Sequence, residues 1–192
     1  MRMKWTACVA ILCSAPVFAQ SGAATFALDR TSFAPAHEYV AADAIPRYLS
    51  LPSNLIVPAA SYRPLLERML LGSPTFRRQC LRISGEPRVT VVLNMGAPFR
   101  RSQTRASTRI TRDGTGRLTA VIDVSPLDDD VELIAHEIEH VIEQLDEVDL
   151  ASHAEHGGTG VRRLSEHVFE TARATRMGRQ VTREVLAFTG HR

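Results

Sequence analysis

Two histidines and a glutamate lie in an apolar stretch with the spacing of a helix. His136 and His140 are four residues apart, which places their side chains one turn apart on the same helix face, and Glu137 lies beside that face. The surrounding apolar residues predict that the helix is buried, and they are Leu133, Ile134, Ile138, Val141 and Ile142. This apolar body would place the histidines in a structured interior wall.

The order of the predicted elements indicates the fold class. Helices are predicted after Ser61 and from Ser73-Pro74, and strands at 88–94, 104–112 and 117–124. The Asp113-Gly114-Thr115-Gly116 turn between the last two strands is typical of a β-hairpin. Helices are expected again at 130–145 and 164–188. This order favours an α+β fold with a small antiparallel or mixed sheet.

The N-terminus has the features of a secretory signal peptide. Arg2 and Lys4 are followed by an apolar run at 5–17, and Val17-Phe18-Ala19 has small residues where a cleavage site needs them. We therefore expect export to the periplasm or beyond the cell, with cleavage after Ala19. The rest of the chain has no segment long and apolar enough for a permanent membrane span.

Two regions are expected after the signal peptide. Residues 20–60 are rich in Ala, Pro and Ser and only weakly periodic, which is compatible with a leader, a short propeptide or a strap across the domain. Residues 61–192 are predicted to form the folded domain.

Removal of residues 1–19 leaves one cysteine, Cys80. A single thiol can form neither an internal disulfide nor a metal site built of thiolates. Because the sequence around Cys80 predicts an amphipathic helix, we interpret it as a buried structural thiol.

The helix at 130–145 contains the motif HExxH, formed by residues 136–140. Two imidazoles on one helix face can bind one Zn²⁺ ion, and Glu137 can hold a water molecule without binding the metal. We therefore predict a zinc site with His136 and His140 as ligands and Glu137 as general base.

The third zinc ligand has several candidates near the motif. Glu143 lies on the same helix face, but three ligands on one straight helix converge poorly, so a supporting role beside a ligand or exposure to solvent is expected for it. Asp146 stands at the spacing of a third ligand in related motifs, although no glycine precedes it to turn the chain. His153 and His156 in the following loop are further options.

Glu170 is the preferred third ligand. It lies among small and apolar residues in the predicted last helix, where a carboxylate needs a partner. Glu166, one turn earlier, could hydrogen-bond a ligand histidine, and His167 could stabilise the oxyanion of the reaction. A salt bridge from Glu170 to Arg173 is the alternative.

At these residues the chain resembles the zincin metallopeptidases, in particular the compact gluzincin type. The resemblance implies a peptide or protein substrate, a glutamate ligand from a second helix, and an edge strand that aligns extended substrate. The strand at 117–124 or its hairpin partner would have that place. The chain is also similar to uncharacterised exported bacterial proteins in segments 73–80 and 169–174.

Charge is divided along the chain. Without residues 1–19 there are 21 basic and 21 acidic residues, so the net charge is zero. Residues 61–117 contain 12 arginines and 3 acids, whereas residues 123–155 contain 12 acids and neither arginine nor lysine. The acidic block around the motif favours a divalent cation, and no nucleic-acid partner is expected.

Two alternative functions stay open. One is a zincin-like module without catalytic activity that binds metal or peptide. The other is an arginine-rich protein that binds the cell envelope.

Overall fold

The hairpin around residues 113–116 and the motif helix both form as predicted. The computed structural model describes residues 9–12, 50–96, 105–125 and 130–190. The described residues form an α+β fold whose main sheet is mixed, which confirms the expected class. Asp113 accepts hydrogen bonds from the backbone N–H groups of Thr115 and Arg117, and these bonds close the turn of the hairpin.

The main sheet has five strands in the order β1-β4-β5-β3-β2. They are β1 (Val9–Leu12), β2 (Leu55–Ile56), β3 (Val89–Met95), β4 (Ala106–Arg112) and β5 (Leu118–Val124). β4 is antiparallel to both β1 and β5, whereas β5, β3 and β2 are parallel to one another. β4 therefore lies between the hairpin partner and the short N-terminal strand.

The helices α1 (Arg63–Gly72), α2 (Pro74–Ser84) and α3 (Asp130–Leu145) follow the sequence predictions closely. α3 packs against β4 and β5, and a C-terminal helix, α5 (Ala172–Gly190), packs against α1, α2 and α3. The core lies between the sheet and these helices. α3 therefore packs against the sheet on one side and against α5 on the other.

The prediction of a last helix from Leu164 is wrong over its first turns. Short α4 (Leu150–Glu155) is followed by β6 (Val161–Ser165) and β7 (Val168–Thr171), which pair antiparallel, and α5 begins only after β7. The Thr171 hydroxyl accepts a hydrogen bond from the Ala174 backbone N–H and so caps the start of α5. Glu170 therefore lies on a strand, two residues before the helix.

Part of the expected leader packs into the domain. Leu55 and Val57 are buried in the core, and the Asn54 side chain donates to backbone carbonyls at the end of α2 and the start of β3. Residues 20–49 of the leader, and all of the predicted signal peptide except Val9–Leu12, lie outside the described residues.

Cys80 is buried in α2, as the sequence predicts. Burial raises the pKa of its thiol to about 12, so the thiolate form is strongly disfavoured. This agrees with a structural role for Cys80. Within the described residues, no helix has the length and apolarity that crossing a bilayer requires.

Glu184 of α5 ties that helix to the start of α2. It accepts hydrogen bonds from the Ser73 hydroxyl and from both the backbone N–H and the hydroxyl of Thr75, at 3.0 and 2.8 Å. Burial acts to raise the pKa of Glu184, but the hydrogen bonds from Ser73, Gln180 and Thr75 outweigh it and hold the pKa below the usual glutamate value.

We therefore expect Glu184→Gln to lower stability at neutral pH. Because the folded pKa is depressed, the ionised group stabilises the fold above the ordinary glutamate pKa and loses this effect as pH falls through the folded value. Thermal unfolding of both proteins against pH should show melting curves that converge in acid. The control is Glu67→Gln, at an exposed position of α1, which should leave the profile unchanged. A constant gap between wild type and Glu184→Gln at every pH would contradict this explanation.

Candidate metal centre

The buried face of α3 brings the two histidines together. His136 and His140 are 3% and 0% exposed, and their Nε2 atoms lie 3.1 Å apart. Asp130 and Glu132 occupy the first turn, where negative charge stabilises the positive end of the helix dipole. The two rings meet edge to face at 77°, and the short Nε2–Nε2 distance shows that both nitrogens lie on the same side of the helix.

Glu170 joins this pair from β7. Its Oε1 lies 3.3 Å from His136 Nε2, and one ligand atom from each of the three residues lies within 4.8 Å of the others. Ligand atoms around a tetrahedral zinc ion are about 3.3 Å apart, since each is about 2.0–2.1 Å from the metal. Two of the contacts, at 3.1 and 3.3 Å, match this spacing. The predicted ligand set therefore converges, although Glu170 arrives on a strand instead of a helix.

Glu143 fixes the orientation of His140. Its Oε2 lies 2.8 Å from His140 Nδ1, and its Oε1 accepts a hydrogen bond of 2.7 Å from the Thr171 hydroxyl. Because a carboxylate only accepts, the proton of His140 lies on Nδ1, and the lone pair of Nε2 faces the cluster. The structure thus places Glu143 behind a candidate ligand and not among the ligands.

Glu137 lies beside the cluster and is fully buried. Its Oε2 accepts a hydrogen bond of 2.6 Å from the Thr108 hydroxyl on β4, while its Oε1 has no hydrogen-bond partner among the described residues. Burial raises the pKa of Glu137, and the nearby His140 and His136 rings and the hydrogen bond from Thr108 offset only part of that effect. A buried carboxylate oxygen without a partner is a site where a polar ligand such as water would be stabilised.

The electrostatics of the cluster favour positive charge at His136. Burial lowers the pKa of His136, but the hydrogen bond to Glu170 and the negative charges of Glu137, Glu170 and Glu143 outweigh it, so the pKa is raised. Burial conversely raises the pKa of Glu170, and its contacts with His136 and His140 outweigh that effect and lower it. The carboxylates therefore create a local environment that attracts a cation.

Asp146 and Glu139 belong to a different network. Arg173 donates to Glu139 Oε1 at 2.7 Å and to Asp146 Oδ2 at 2.8 Å, and the Gln79 amide donates to Glu139 Oε2. Asp146 is exposed beyond the end of α3. It is therefore not a metal ligand in this arrangement, and the alternative pairing of Arg173 with Glu170 does not occur.

The remaining predicted candidates do not reach the cluster. Glu166 and His167 lie in the exposed turn between β6 and β7, where His167 Nε2 is 3.7 Å from Glu166 Oε1. The expectation that Glu166 shares a helix face with Glu170 is wrong because that helix does not form there. His153 lies in α4, and His156 Nδ1 lies 2.7 Å from the Ser152 carbonyl oxygen, so both belong to the α4 region.

Thr108 and Thr171 support the cluster, and the sequence interpretation missed both. Thr108 occupies an inward position of an alternating strand, between the buried residues Ala106 and Ile110. A hydroxyl at an inward position needs a buried partner, which is the signal that could have identified it. Thr171 gave a weaker signal, as a possible cap before an alanine-rich segment.

Comparisons with protein-family models, curated protein sequences and solved structures found no match for this chain. The geometry of the described residues therefore carries the functional argument.

Gly178 allows α5 to approach α3 closely at the cluster. A Cβ atom at this position would lie 2.7 Å from the Glu132 backbone oxygen and 3.3 Å from His136 Cβ. The first distance is shorter than a side chain can tolerate against backbone, so any larger residue must push the two helices apart.

We expect Gly178→Ala to lower the free energy of unfolding by about 1–3 kcal/mol, the usual cost of overpacking. Urea unfolding would measure the change. Gly157→Ala is the matched control, because a Cβ at position 157 meets nothing within 4 Å. Equal stability of the two variants would show that the helices yield without cost.

Proposed function

We propose that this protein is an exported zinc-dependent metallopeptidase. His136, His140 and Glu170 hold the zinc ion, and Glu137 is the general base. The observation that carries the proposal is the convergence of these three ligand atoms in a buried site next to a carboxylate oxygen that has no partner among the described residues.

The donor set suits zinc. Two imidazole nitrogens and one carboxylate oxygen, with a fourth position left open, are typical of catalytic zinc sites. Zinc bound there supplies Lewis-acid chemistry, since it lowers the pKa of water and polarises a carbonyl group. Glu143 keeps the His140 proton on Nδ1, which leaves Nε2 free to bind the metal.

Glu137 moves the proton during peptide hydrolysis. As water adds to the peptide carbonyl carbon, the Glu137 carboxylate accepts one water proton, and it then delivers this proton to the amine nitrogen as the C–N bond breaks. The hydrogen bond from Thr108 holds one oxygen in place, so the other remains available for water.

The edge of β4 supports a peptide as the substrate. β1 pairs antiparallel with β4 along its length, with Ile11 opposite Thr108 and Leu12 opposite Ser107, and it also lies close to β7. An extended main chain therefore fits between β4 and β7. β4 carries Thr108, which binds Glu137, and β7 carries Glu170. A substrate peptide would add to β4 in the same way.

The order of elements also supports a zincin-like fold for residues 61–192. The β4–β5 hairpin precedes the motif helix, and the third candidate ligand comes from a later segment, as in the family that the motif resembles. In the proposed enzyme β4, the hairpin partner of β5, would be the substrate strand.

The purified protein should bind about one zinc ion per chain, which elemental analysis would measure. His136→Ala should lose the metal, because it removes a ligand. Glu137→Gln should keep the zinc and lower kcat for a generic peptide by about 10²–10⁴-fold, because only the base is lost. Glu166→Gln and His167→Ala are the matched controls, and both should retain zinc and activity, since these residues are exposed in a turn.

A wild-type protein without stoichiometric zinc would refute the proposal at its first step. Stoichiometric zinc without hydrolysis that depends on Glu137 would instead indicate a zincin-like module that binds metal or peptide without turnover.

We also expect the chain that begins at Gln20 to hydrolyse peptides faster than the full chain, by roughly tenfold. Removal of residues 1–19 takes away Val9–Leu12 and frees the edge of β4 for substrate. Measured kcat/KM values for the two chains test this, and Glu137→Gln in the shorter chain gives the background. Equal kcat/KM values would show that β1 does not compete with substrate.

A further inference from the structure

A groove of about 750 Å³ opens beside the candidate metal centre, along the exposed face of α5. Its walls include Thr175, Arg176, Arg179 and Arg183 of α5, and Glu132 of α3. It is an open surface groove and does not contain the buried histidines themselves. It therefore offers room for parts of a ligand that extend away from the cluster.

The groove is continuous with the cluster through Thr175. The Thr175 hydroxyl lies 3.3 Å from Glu170 Oε1, and Glu132 lies one helical turn before His136 on α3. The hydrogen bond of Thr175 and the position of Glu132 both place the start of the groove next to the candidate ligands. A chain that is cleaved at the cluster would thus have neighbouring residues within reach of the groove.

The groove carries excess positive charge. Arg176, Arg179 and Arg183 are exposed, and Arg176 has no hydrogen bond or ion pair to another part of the chain that the structure describes. Arg179 Nε lies 3.9 Å from Glu132 Oε1, and Arg183 donates to the neutral Gln180 amide. The lining of the groove thus has three guanidinium groups and one carboxylate, which give it a net charge of +2.

Arg173, on the same helix, shows the contrast. Its guanidinium is held between Glu139 and Asp146, with hydrogen bonds of 2.7 and 2.8 Å, and its charge is compensated within the protein. The three groove arginines have no comparable pair of acidic partners within the described residues. Their charge is available to an external anion.

The spacing of these arginines fits an extended peptide. Residues 176 and 183 are seven positions apart, which is about 10 Å along a helix. An extended chain covers that distance in about three residues. The groove could therefore contact two or three side chains that follow one another in a substrate.

We propose that the groove binds acidic side chains on one side of the cleaved bond, so that the preferred substrates are acidic peptides. The inference rests on the proposed peptidase function and adds a substrate class to it. Charge complementarity supports this choice, since carboxylates would pair with guanidinium groups that have few partners in the protein.

Paired fluorogenic peptides test the proposal on the chain that begins at Gln20. One series carries Glu on the N-terminal side of the scissile bond, another carries Glu on the C-terminal side, and each is compared with Gln peptides of the same length. We expect kcat/KM to be about tenfold higher for Glu peptides of one series, and higher salt should reduce this preference by screening.

The variant Arg176→Gln/Arg179→Gln/Arg183→Gln should lose this preference and keep its activity on Gln peptides. The matched control is Arg63→Gln/Arg68→Gln/Arg88→Gln, which removes the same charge from exposed positions outside the groove and outside the proposed substrate strand, and should keep the preference. Equal rates for Glu and Gln peptides in both series, or a preference unchanged in the groove variant, would overturn the inference.

Peptide binding separates this inference from the peptidase proposal. Fluorescence anisotropy with labelled Glu and Gln peptides, measured on Glu137→Gln, requires no turnover. If wild type cleaves Gln peptides without a preference for Glu, the peptidase proposal stands and the acidic substrate class fails. If no peptide is cleaved but Glu peptides bind more tightly and only the groove variant loses this difference, the peptidase proposal fails and the groove remains a site for acidic peptides.

Discussion

The contact between His136 and Glu170 is the interaction on which the rest of the structure depends. It joins α3 to the end of β7, and because β7 leads directly into α5, the contact helps to fix the start of the last helix against the motif helix. Burial of both groups is tolerated because each partly compensates the charge of the other. The fold is thus organised around a site that prefers positive charge.

α3 would be a poor core helix without its neighbours, because Glu137, Glu139 and Glu143 are all buried on it. Each carboxylate meets donors from a different part of the fold, and buried carboxylates are stable only when they are met in this way. The donors are Thr108 of β4, Gln79 of α2 with Arg173 of α5, and Thr171 at the end of β7. The polar contacts of one helix therefore specify the positions of four surrounding elements.

Local signals in the sequence predicted what depends on local physics. The hairpin turn at residues 113–116 and the start of a helix at Ser73-Pro74 were both predicted correctly, because neighbouring residues supply the hydrogen bonds, among them the one that the Ser73 hydroxyl accepts from the Phe76 backbone N–H. The convergence of Glu170 with the histidines was also anticipated, since a carboxylate among apolar residues needs a partner. The strand conformation of Glu170 was not predicted, because pairing of β7 with β6 overrides a helical sequence pattern. Thr108 was missed because its hydrogen-bond partner, Glu137, is distant in sequence.

The pairing of Val9–Leu12 with β4 also bears on solubility. A β4 strand without β1 would present a row of unpaired N–H and C=O groups, which can bind the same edge of a second molecule as readily as a peptide. Arg112 is exposed on this strand, and so is Arg109, which lies 3.6 Å from Asp123 of β5. Exposed charged side chains on an edge strand oppose pairing with a second copy. The arginines of β4 thus act against edge-to-edge association of two copies wherever this edge is not covered by β1.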